Sequence, residues 1–288
     1  MPTPTVSFEF FPPKDLQGSF RLWDTVQVLA PLGPRFVSVT YGAGGTTRDL
    51  TRDAVSTLHH HSGLNVAAHL TCVNASREET LEIARTYAAA GVTEIVALRG
   101  DPPKGSGGFK PHPDGFADSC ELITALKNTG DFTIRVGAYP EKHPEALDEA
   151  ADLDWLKRKI DAGADEAITQ FFFSADTFLR FRDRAVAAGI TAPIVPGILP
   201  IENWKGVKRF AESCGTSVPT WLSNAFETAI RDGREDLLAT SLCTELCSKL
   251  VDHGVESLHF YTLNRPELTR DVCHALGIVP SMQLENVA

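Results

Sequence analysis

No stretch of the 288-residue sequence approaches the roughly 18 consecutive apolar residues that a membrane-spanning helix needs. Positive charge is also in short supply. The chain carries 27 Lys and Arg against 37 Asp and Glu, a formal net of -10, and such a field repels phosphate backbones and anionic lipid. Neither a nucleic acid nor a membrane surface is expected as a partner. Met1 to Lys14 contains no basic region followed by an apolar stretch and a cleavage site, which predicts a cytoplasmic protein. The sequence has no Walker A loop, because Gly105-Ser106-Gly107-Gly108 lacks a following Lys-Ser/Thr, and no Pro/Ser-rich linker divides it. What is present is ordinary for a soluble chain: 43% hydrophobic and 22% charged residues exclude global disorder and leave enough apolar surface for a full core.

Metal-ligand spacing is equally thin. Six cysteines, Cys72, Cys120, Cys214, Cys243, Cys247 and Cys273, are scattered through a chain too large to need disulfide staples, so reduced thiols are expected. Cys243 and Cys247 lie one helical turn apart, but the surrounding Leu237-Leu238 and Leu242-Leu246-Leu250 pattern favours core packing over a shared ligand. His59-His60-His61 sits where a helix runs out into Ser62-Gly63, with no Cys or carboxylate cluster to join it, and reads as a solvated helix end. No bound metal is expected.

One local phrase recurs: a helical stretch, a glycine, one to three residues, then a short apolar strand. It occurs at Gly63, Gly91, Gly163, Gly189 and Gly254, each marking a helix that turns into a strand. Strand-like runs fall at Val6 to Phe10, Phe36 to Thr40, Val66 to Leu70, Ile95 to Leu98, Thr133 to Tyr139, Ala167 to Phe171, Ile194 to Ile198 and Leu258 to Tyr261. Each is followed by a helical pattern. Eight such alternations without a composition break predict an α/β fold, a single (β/α)8 TIM barrel spanning residues 1–279, with an extra helix near residues 213–235 and a flexible tail at 280–288. The long loops at Gly100 to Gly115 and Pro140 to Leu147 then lie on the strand C-terminal side, where barrels build their sites.

Polar residues at those strand ends carry the chemistry. Glu9 stands between aromatics in Ser7-Phe8-Glu9-Phe10-Phe11-Pro12-Pro13; burial there would raise its pKa and suit a general acid, and a structural ion pair is the competing reading. Gly42-Ala43-Gly44-Gly45-Thr46-Thr47 follows the second strand and lacks the third glycine of a dinucleotide fingerprint. Leu98-Arg99-Gly100-Asp101 places a cation, a bare backbone and an anion at one rim. In the helix after Tyr139-Pro140-Glu141-Lys142-His143-Pro144, Asp152, Trp155 and Lys159 share one face, with Arg158 adjacent. Gln170, Tyr261 and Arg265 close the series, and an amide, an aromatic and a guanidinium at one mouth suit a planar heterocycle with an anionic tail.

Taken together, Ser7 to Lys14, Val39-Thr40-Tyr41-Gly42-Ala43, His69-Leu70-Thr71-Cys72, Ala97 to Asp101, Ala138 to Pro144, Ala167 to Phe173, Pro196 to Pro200 and His259 to Arg265 closely resemble the bacterial-type 5,10-methylenetetrahydrofolate reductases, in family order and over nearly the whole chain. The resemblance implies an FAD-containing barrel that reduces 5,10-methylenetetrahydrofolate to 5-methyltetrahydrofolate with NADH or NADPH, by a ping-pong mechanism, in the one-carbon metabolism that feeds methionine synthesis. It implies a homo-oligomer as well. By the same resemblance Glu9 matches the acid that helps open the imidazolidine ring, and Asp101 the carboxylate near flavin and pterin. Thr40, Tyr41, Ala43, His69, Arg99, Gly100, Phe116, Ala117, Tyr139, His143, Asp152, Trp155, Arg158 and Lys159 match the FAD-holding set. Gln170 matches the amide that meets nicotinamide and pterin in turn, Phe210 a nicotinamide-site aromatic and Arg265 a folate contact. Phe116 stands where the family pattern has Tyr, and Trp155 where it has Asn or His, so each removes a hydrogen-bonding group; Trp155 gains the option of stacking on adenine. The sequence runs out soon after the eighth helix, and the regulatory domain of the eukaryotic members is not expected.

Three other readings compete: the same reaction by direct hydride transfer without tightly held flavin, a non-redox barrel lyase or aldolase, and a folate or flavin carrier without turnover. No Schiff-base lysine or metal-ligand set supports the lyase, and a carrier has no use for Glu9.

Overall fold

The computed structural model describes residues 3–42, 47–101 and 108–280. Ala43 and residues 281–288 of the expected tail lie outside the described residues. Among those described, nine strands form one all-parallel sheet: β1 (Thr5–Phe10), β2 (Val37–Val39), β3 (Val66–Thr71), β4 (Glu94–Leu98), β5 (Thr133–Ala138), β6 (Glu166–Thr169), β7 (Ile194–Val195), β8 (Gly197–Ile198) and β9 (Ser257–Tyr261). They are joined by α1 (Leu16–Leu29), α2 (Arg48–Ser62), α3 (Arg77–Ala89), α4 (Ser119–Thr129), α5 (Glu149–Asp161), α6 (Ala175–Ala187), α7 (Trp204–Cys214), α8 (Thr220–Arg231), α9 (Glu235–Asp252) and α10 (Glu267–Ala275).

The sheet closes because β1 pairs with β2 on one side and with β9 on the other, in the register Ser7 with His259 and Glu9 with Tyr261. β7 and β8 are one barrel strand interrupted at Pro196, which has no N–H to donate to a ladder. β7 pairs with β6, and β8 with β9, so the pair bridges the remaining gap. The expected eight strands are therefore present, the seventh in two pieces. Gly197 sits at this crossing with no room to spare: a Cβ there would lie 2.0 Å from the Thr169 carbonyl. The five glycine joints anticipated in the sequence all have positive φ, and the extra helix expected near 213–235 is α8. No described helix is long and apolar enough to cross a membrane. All six cysteines are free thiols, with Cys72, Cys243, Cys247 and Cys273 buried.

Alternation along the strands sorts side chains into two populations. Phe8, Phe10, Ile95, Ile134, Val136, Leu258 and Phe260 face outward into the large core shared with the helices. The inward-facing residues fill the barrel in layers. At the N-terminal end Arg135 donates to Glu166 and Glu94, and Arg35 donates to the same Glu166. Above them lies a small apolar layer of Phe36, Ala67, Val96 and Ile168. Phe36 links the layers, with the Arg135 guanidinium 3.6 Å from its ring centroid and the His259 ring stacked 5.7 Å away. Cation–π contact and two carboxylates offset the desolvation of Arg135, whose side chain is only 6% exposed.

Substituting Arg135→Met leaves Glu166 buried beside only the half-exposed Arg35, and should lower folding stability by about 3–5 kcal/mol. Urea unfolding measures this, and adding Glu166→Gln to the variant should restore part of the loss. A variant as stable as the parent would show that the cluster is dispensable.

Candidate active site

The C-terminal end of the barrel opens into a cavity of about 990 Å³ whose floor is Glu9, His69, Tyr261 and Gln170. Glu9 comes from the fifth position of β1, where alternation turns it inward, and its backbone is fixed from across the closure. Thr262, just past β9, donates to the Glu9 carbonyl through both Oγ1 (2.7 Å) and N–H (3.3 Å). Two imidazoles face one carboxylate oxygen: His69 Nε2 of β3 at 3.2 Å and His259 Nε2 of β9 at 3.6 Å. Neither Nε2 has a well-formed hydrogen bond elsewhere. His259 Nδ1 lies 2.8 Å from Ser7 Oγ. A carboxylate favours a proton on the facing Nε2, which makes Nδ1 the acceptor and the Ser7 hydroxyl the donor.

This arrangement corrects the expected ionisation of Glu9. Burial by itself pushes its carboxyl up, as the aromatic neighbours suggested, but the charges and hydrogen-bonding capacity of His69 and His259 outweigh it and bring the pKa down to about 2. Glu9 rests as a carboxylate. Those imidazoles come from strands far from Glu9 in sequence, so the local aromatic context could not reveal them.

A second cleft, of about 450 Å³, shares Tyr41, Leu98, Asp101, Gly137 and Tyr139 with the first and extends to His143, Asp152, Trp155 and Lys159. Asp148 caps α5 by accepting from the Ala151 N–H at 2.8 Å, and the helix presents Asp152, Trp155 and Lys159 to the cleft as their spacing implied. Asp152 accepts from the His143 N–H at 2.9 Å, holding the β5 loop against α5, and the His143 ring packs edge-on against Tyr139 at 4.6 Å. Lys159 is buried and donates to the Gly137 carbonyl; desolvation pulls its ammonium down to about 8, against the opposing charge of Asp152. Burial, reinforced by Asp101 and Asp152, pushes Tyr139 up to about 12, so it is a neutral donor. His143 is lowered by burial and by Arg99. Arg99 pairs with Glu145 and lies over Phe109, and Arg158 stacks on Trp155 at 4.5 Å.

Of the sequence-predicted residues, Thr40, Tyr41, Asp101, Gln170, Phe210 and Arg265 line the larger cavity, and Arg99, Gly100, Tyr139, His143, Asp152, Trp155 and Lys159 the cleft. His69 belongs to Glu9 rather than to the cleft. Phe116 and Ala117 line neither space: Phe116 is buried beneath the Arg77 guanidinium, and the Ala117 N–H donates to Glu121. Phe210 is stacked on Phe171 at 5.4 Å while remaining exposed at the rim. Gln170 Oε1 accepts from the Phe171 N–H at 3.0 Å, which leaves its amide hydrogens facing the cavity. Ser7, His259, Thr262 and Asn264 were not singled out from sequence as site residues. Ser7 and His259 were legible in principle, lying two positions before Glu9 and Tyr261 on the same inward faces.

A methylenetetrahydrofolate reductase family model matches residues 2–277. The chain belongs to this family. It is 47% identical over 278 residues to the 5,10-methylenetetrahydrofolate reductase of Pectobacterium carotovorum, covering 96% of this chain and 91% of that one. The Escherichia coli K12 enzyme of the same name is 46% identical, with coverage of 96% and 92%. Methylenetetrahydrofolate reductase (NADH) 1 of Arabidopsis thaliana is 38% identical across 96% of this chain but only 49% of its own length. Among solved structures, a Clostridium thermocellum protein described as binding two copies of 5-methyl-5,6,7,8-tetrahydrofolic acid has the same fold, with a TM-score of 0.66 over 96% of this chain and 95% of that chain at 15% identity.

Glu9 ionises far more readily in the folded protein than its ordinary value of 4.5, so the unfolded chain binds its proton first as pH falls. The stability this contributes is present above about 4.5 and is lost progressively toward about 2. In chemical denaturation the stability difference between wild type and Glu9→Gln should therefore be largest above that window and shrink through it. A difference that stays constant would mean that Glu9 is not ionised in the fold.

Proposed function

We propose that this protein reduces 5,10-methylenetetrahydrofolate to 5-methyltetrahydrofolate with electrons from NADH or NADPH, using FAD held in the cleft, as a cytoplasmic homo-oligomer in one-carbon metabolism. One observation carries the reading: a single mouth holds a buried carboxylate–imidazole cluster, a free amide and Asp101, and opens directly into a cleft of dinucleotide character. Family membership supplies the reaction class.

The cleft suits FAD on its own terms. Thr71 Oγ1 lines it, buried and without a hydrogen-bond partner. Gly137 presents bare backbone to it, where a Cβ would meet only Leu98 at 3.7 Å and otherwise project into the space. Trp155 offers a flat apolar face for adenine, Lys159 supplies a cation for a pyrophosphate, Arg158 stacks on Trp155 without lining the cleft, and Asp101 and Tyr139 stand where the cleft joins the larger cavity. When bound, FAD supplies a two-electron carrier that can accept hydride from one substrate and give it to another.

The chain's own residues do the rest. Gln170 offers amide hydrogens to acceptors on a planar ring, and its Oε1 is anchored so that the side chain keeps one orientation. Phe171 and Phe210 form an aromatic wall beside it. At rest Glu9 is a carboxylate whose oxygen faces the Nε2 atoms of His69 and His259. As the bond to the departing ring nitrogen breaks, the Glu9 carboxylate stabilises the cationic iminium left at the folate, and that nitrogen takes up a proton that Glu9 first acquires from solvent at the open mouth. Asp101 adds a second anion that favours the same cation. Nicotinamide and pterin use the same mouth and the same amide, so they bind in turn.

Steady-state kinetics should give parallel double-reciprocal lines, and intersecting lines would overturn the shared mouth. Glu9→Gln should abolish folate reduction, by at least about 100-fold, while nicotinamide oxidation by an artificial acceptor continues. Equal loss in both would make Glu9 structural. The native protein should purify yellow and release FAD on denaturation; a colourless preparation that gains no activity with added FAD would favour direct hydride transfer.

The buried cation gives a readout independent of turnover. Unfolded chain keeps the Lys159 proton to about 10.5, whereas folded apoprotein gives it up near 8. The unfolded state therefore binds more protons between those values, and apoprotein stability should rise with pH across the window. Lys159→Met should remove that rise and weaken FAD binding. An unchanged FAD dissociation constant would take Lys159 out of the cofactor site.

A further inference from the structure

Tyr261 lines the floor of the larger cavity, yet its hydroxyl is committed to the protein: it donates to the Thr169 carbonyl at 2.7 Å. That contact crosses the barrel wall where the seventh strand is split. β6 pairs with β7 in the register Ala167 with Ile194 and Ile168 with Val195, and the pairing ends there. Carried on by two residues, a parallel ladder would bring the Gly197 N–H to the Thr169 carbonyl. In this protein the Gly197 N–H donates instead to Thr169 Oγ1 at 3.0 Å, and the carbonyl receives the Tyr261 phenol. Gly197 makes this exchange possible, because a Cβ there would lie 2.6 Å from Tyr261 Cε2 and 2.8 Å from its hydroxyl oxygen.

The peptide that receives this bond also carries Gln170. The Thr169 carbonyl and the Gln170 N–H are two ends of one planar unit. The Gln170 N–H donates to the Ala138 carbonyl of β5 at 2.8 Å, so the unit is held from β5 on one side and from β9 on the other. Gln170 Oε1, accepting from the Phe171 N–H at 3.0 Å, then fixes the side chain relative to that backbone. Glu9 is anchored by the next residue of the same strand end, since Thr262 donates to its carbonyl through both Oγ1 and N–H. Tyr261 itself lies opposite Glu9 in register and packs edge-on against the His259 ring at 5.3 Å. Two consecutive residues therefore grip the backbones that carry the carboxylate and the amide.

We propose that Tyr261 is a positioning residue whose hydroxyl, by pinning the Thr169–Gln170 peptide, holds Gln170 at a fixed separation from Glu9; this rests on the reading of Gln170 as the amide that meets both rings in turn. The Tyr261 ring remains part of the cavity floor, while its hydroxyl acts through the backbone of β6. Thr169 is fully buried, so removing the phenol leaves its carbonyl without that donor in a place water does not reach. The peptide then turns toward another partner and takes the Gln170 side chain with it. A small misplacement of a group that orients a reacting ring is felt as a loss of rate.

A double-mutant cycle on the holoenzyme tests this, comparing wild type, Tyr261→Phe, Gln170→Ala and the double variant in the reduction of 5,10-methylenetetrahydrofolate. Tyr261→Phe keeps the ring and its contact with His259, and should lower kcat/KM for the folate about ten-fold. In the Gln170→Ala background the same substitution should cost less than about two-fold, because no amide is left to misplace. An equal loss in both backgrounds would mean that the phenol acts on the ligand or the fold directly, and would overturn the proposal. So would a Tyr261→Phe enzyme with wild-type kinetics. Amide hydrogen exchange on the holoenzyme reads the pin without substrate: in Tyr261→Phe the Gln170 N–H should exchange at least about ten-fold faster, while those of Ala167 and Ile168 keep their protection. Unchanged exchange at Gln170, or faster exchange throughout β6, would overturn the role. If wild type reduces no folate while Tyr261→Phe still releases the Gln170 amide alone, the reaction assignment fails and the pin on Gln170 stands.

Discussion

Closure of the sheet between its first and last parallel strands is the constraint on which the site depends. Residues about 250 positions apart become neighbours only when β1 and β9 pair, and that register puts Ser7 beside His259 and Glu9 beside Tyr261. The cluster around Glu9 therefore exists only in the completed barrel. β3 supplies His69 from two strands away, and Thr262 ties the Glu9 backbone to the end of β9. A half-formed barrel would leave Glu9 an isolated carboxylate between phenylalanines.

The interior is organised as polar, apolar and polar along the barrel axis. An ionic layer of Arg135, Glu94 and Glu166 lies at one end, the Phe36 layer in the middle and the carboxylate–imidazole cluster at the other. Phe36 touches both polar layers, with the Arg135 guanidinium over its ring and the His259 ring stacked on it. With solvent displaced, interactions at the upper cluster are stronger than the same pairs would be on a surface. That is how two imidazoles overcome the cost of burying Glu9.

Much of this was legible in the sequence. Strand positions, the glycine joints and α8 followed from periodicity and turn chemistry, because those signals are local. Asp152, Trp155 and Lys159 were placed on one helix face by spacing alone, and they do line one cleft. The ionisation of Glu9 was not legible, since the aromatic residues beside it in sequence point outward while its real neighbours come from β3 and β9. Phe116 was assigned to the cofactor set by family resemblance alone, and it packs under Arg77, outside both spaces. The split of the seventh strand at Pro196 was visible as a residue and invisible as an effect, because its cost depends on which partner would have accepted the missing N–H.

Leu263 and Asn264 leave β9 with φ of 51° and 55°, a left-handed pair that glycine would adopt more easily. Asn264 uses that turn to grip Phe11 with both ends of its amide, reproducing with a side chain the paired bonds of one more rung in the ladder. Mechanically this ties the two loops together across the end of the β1–β9 seam. Separating the two loops would require breaking both of those bonds.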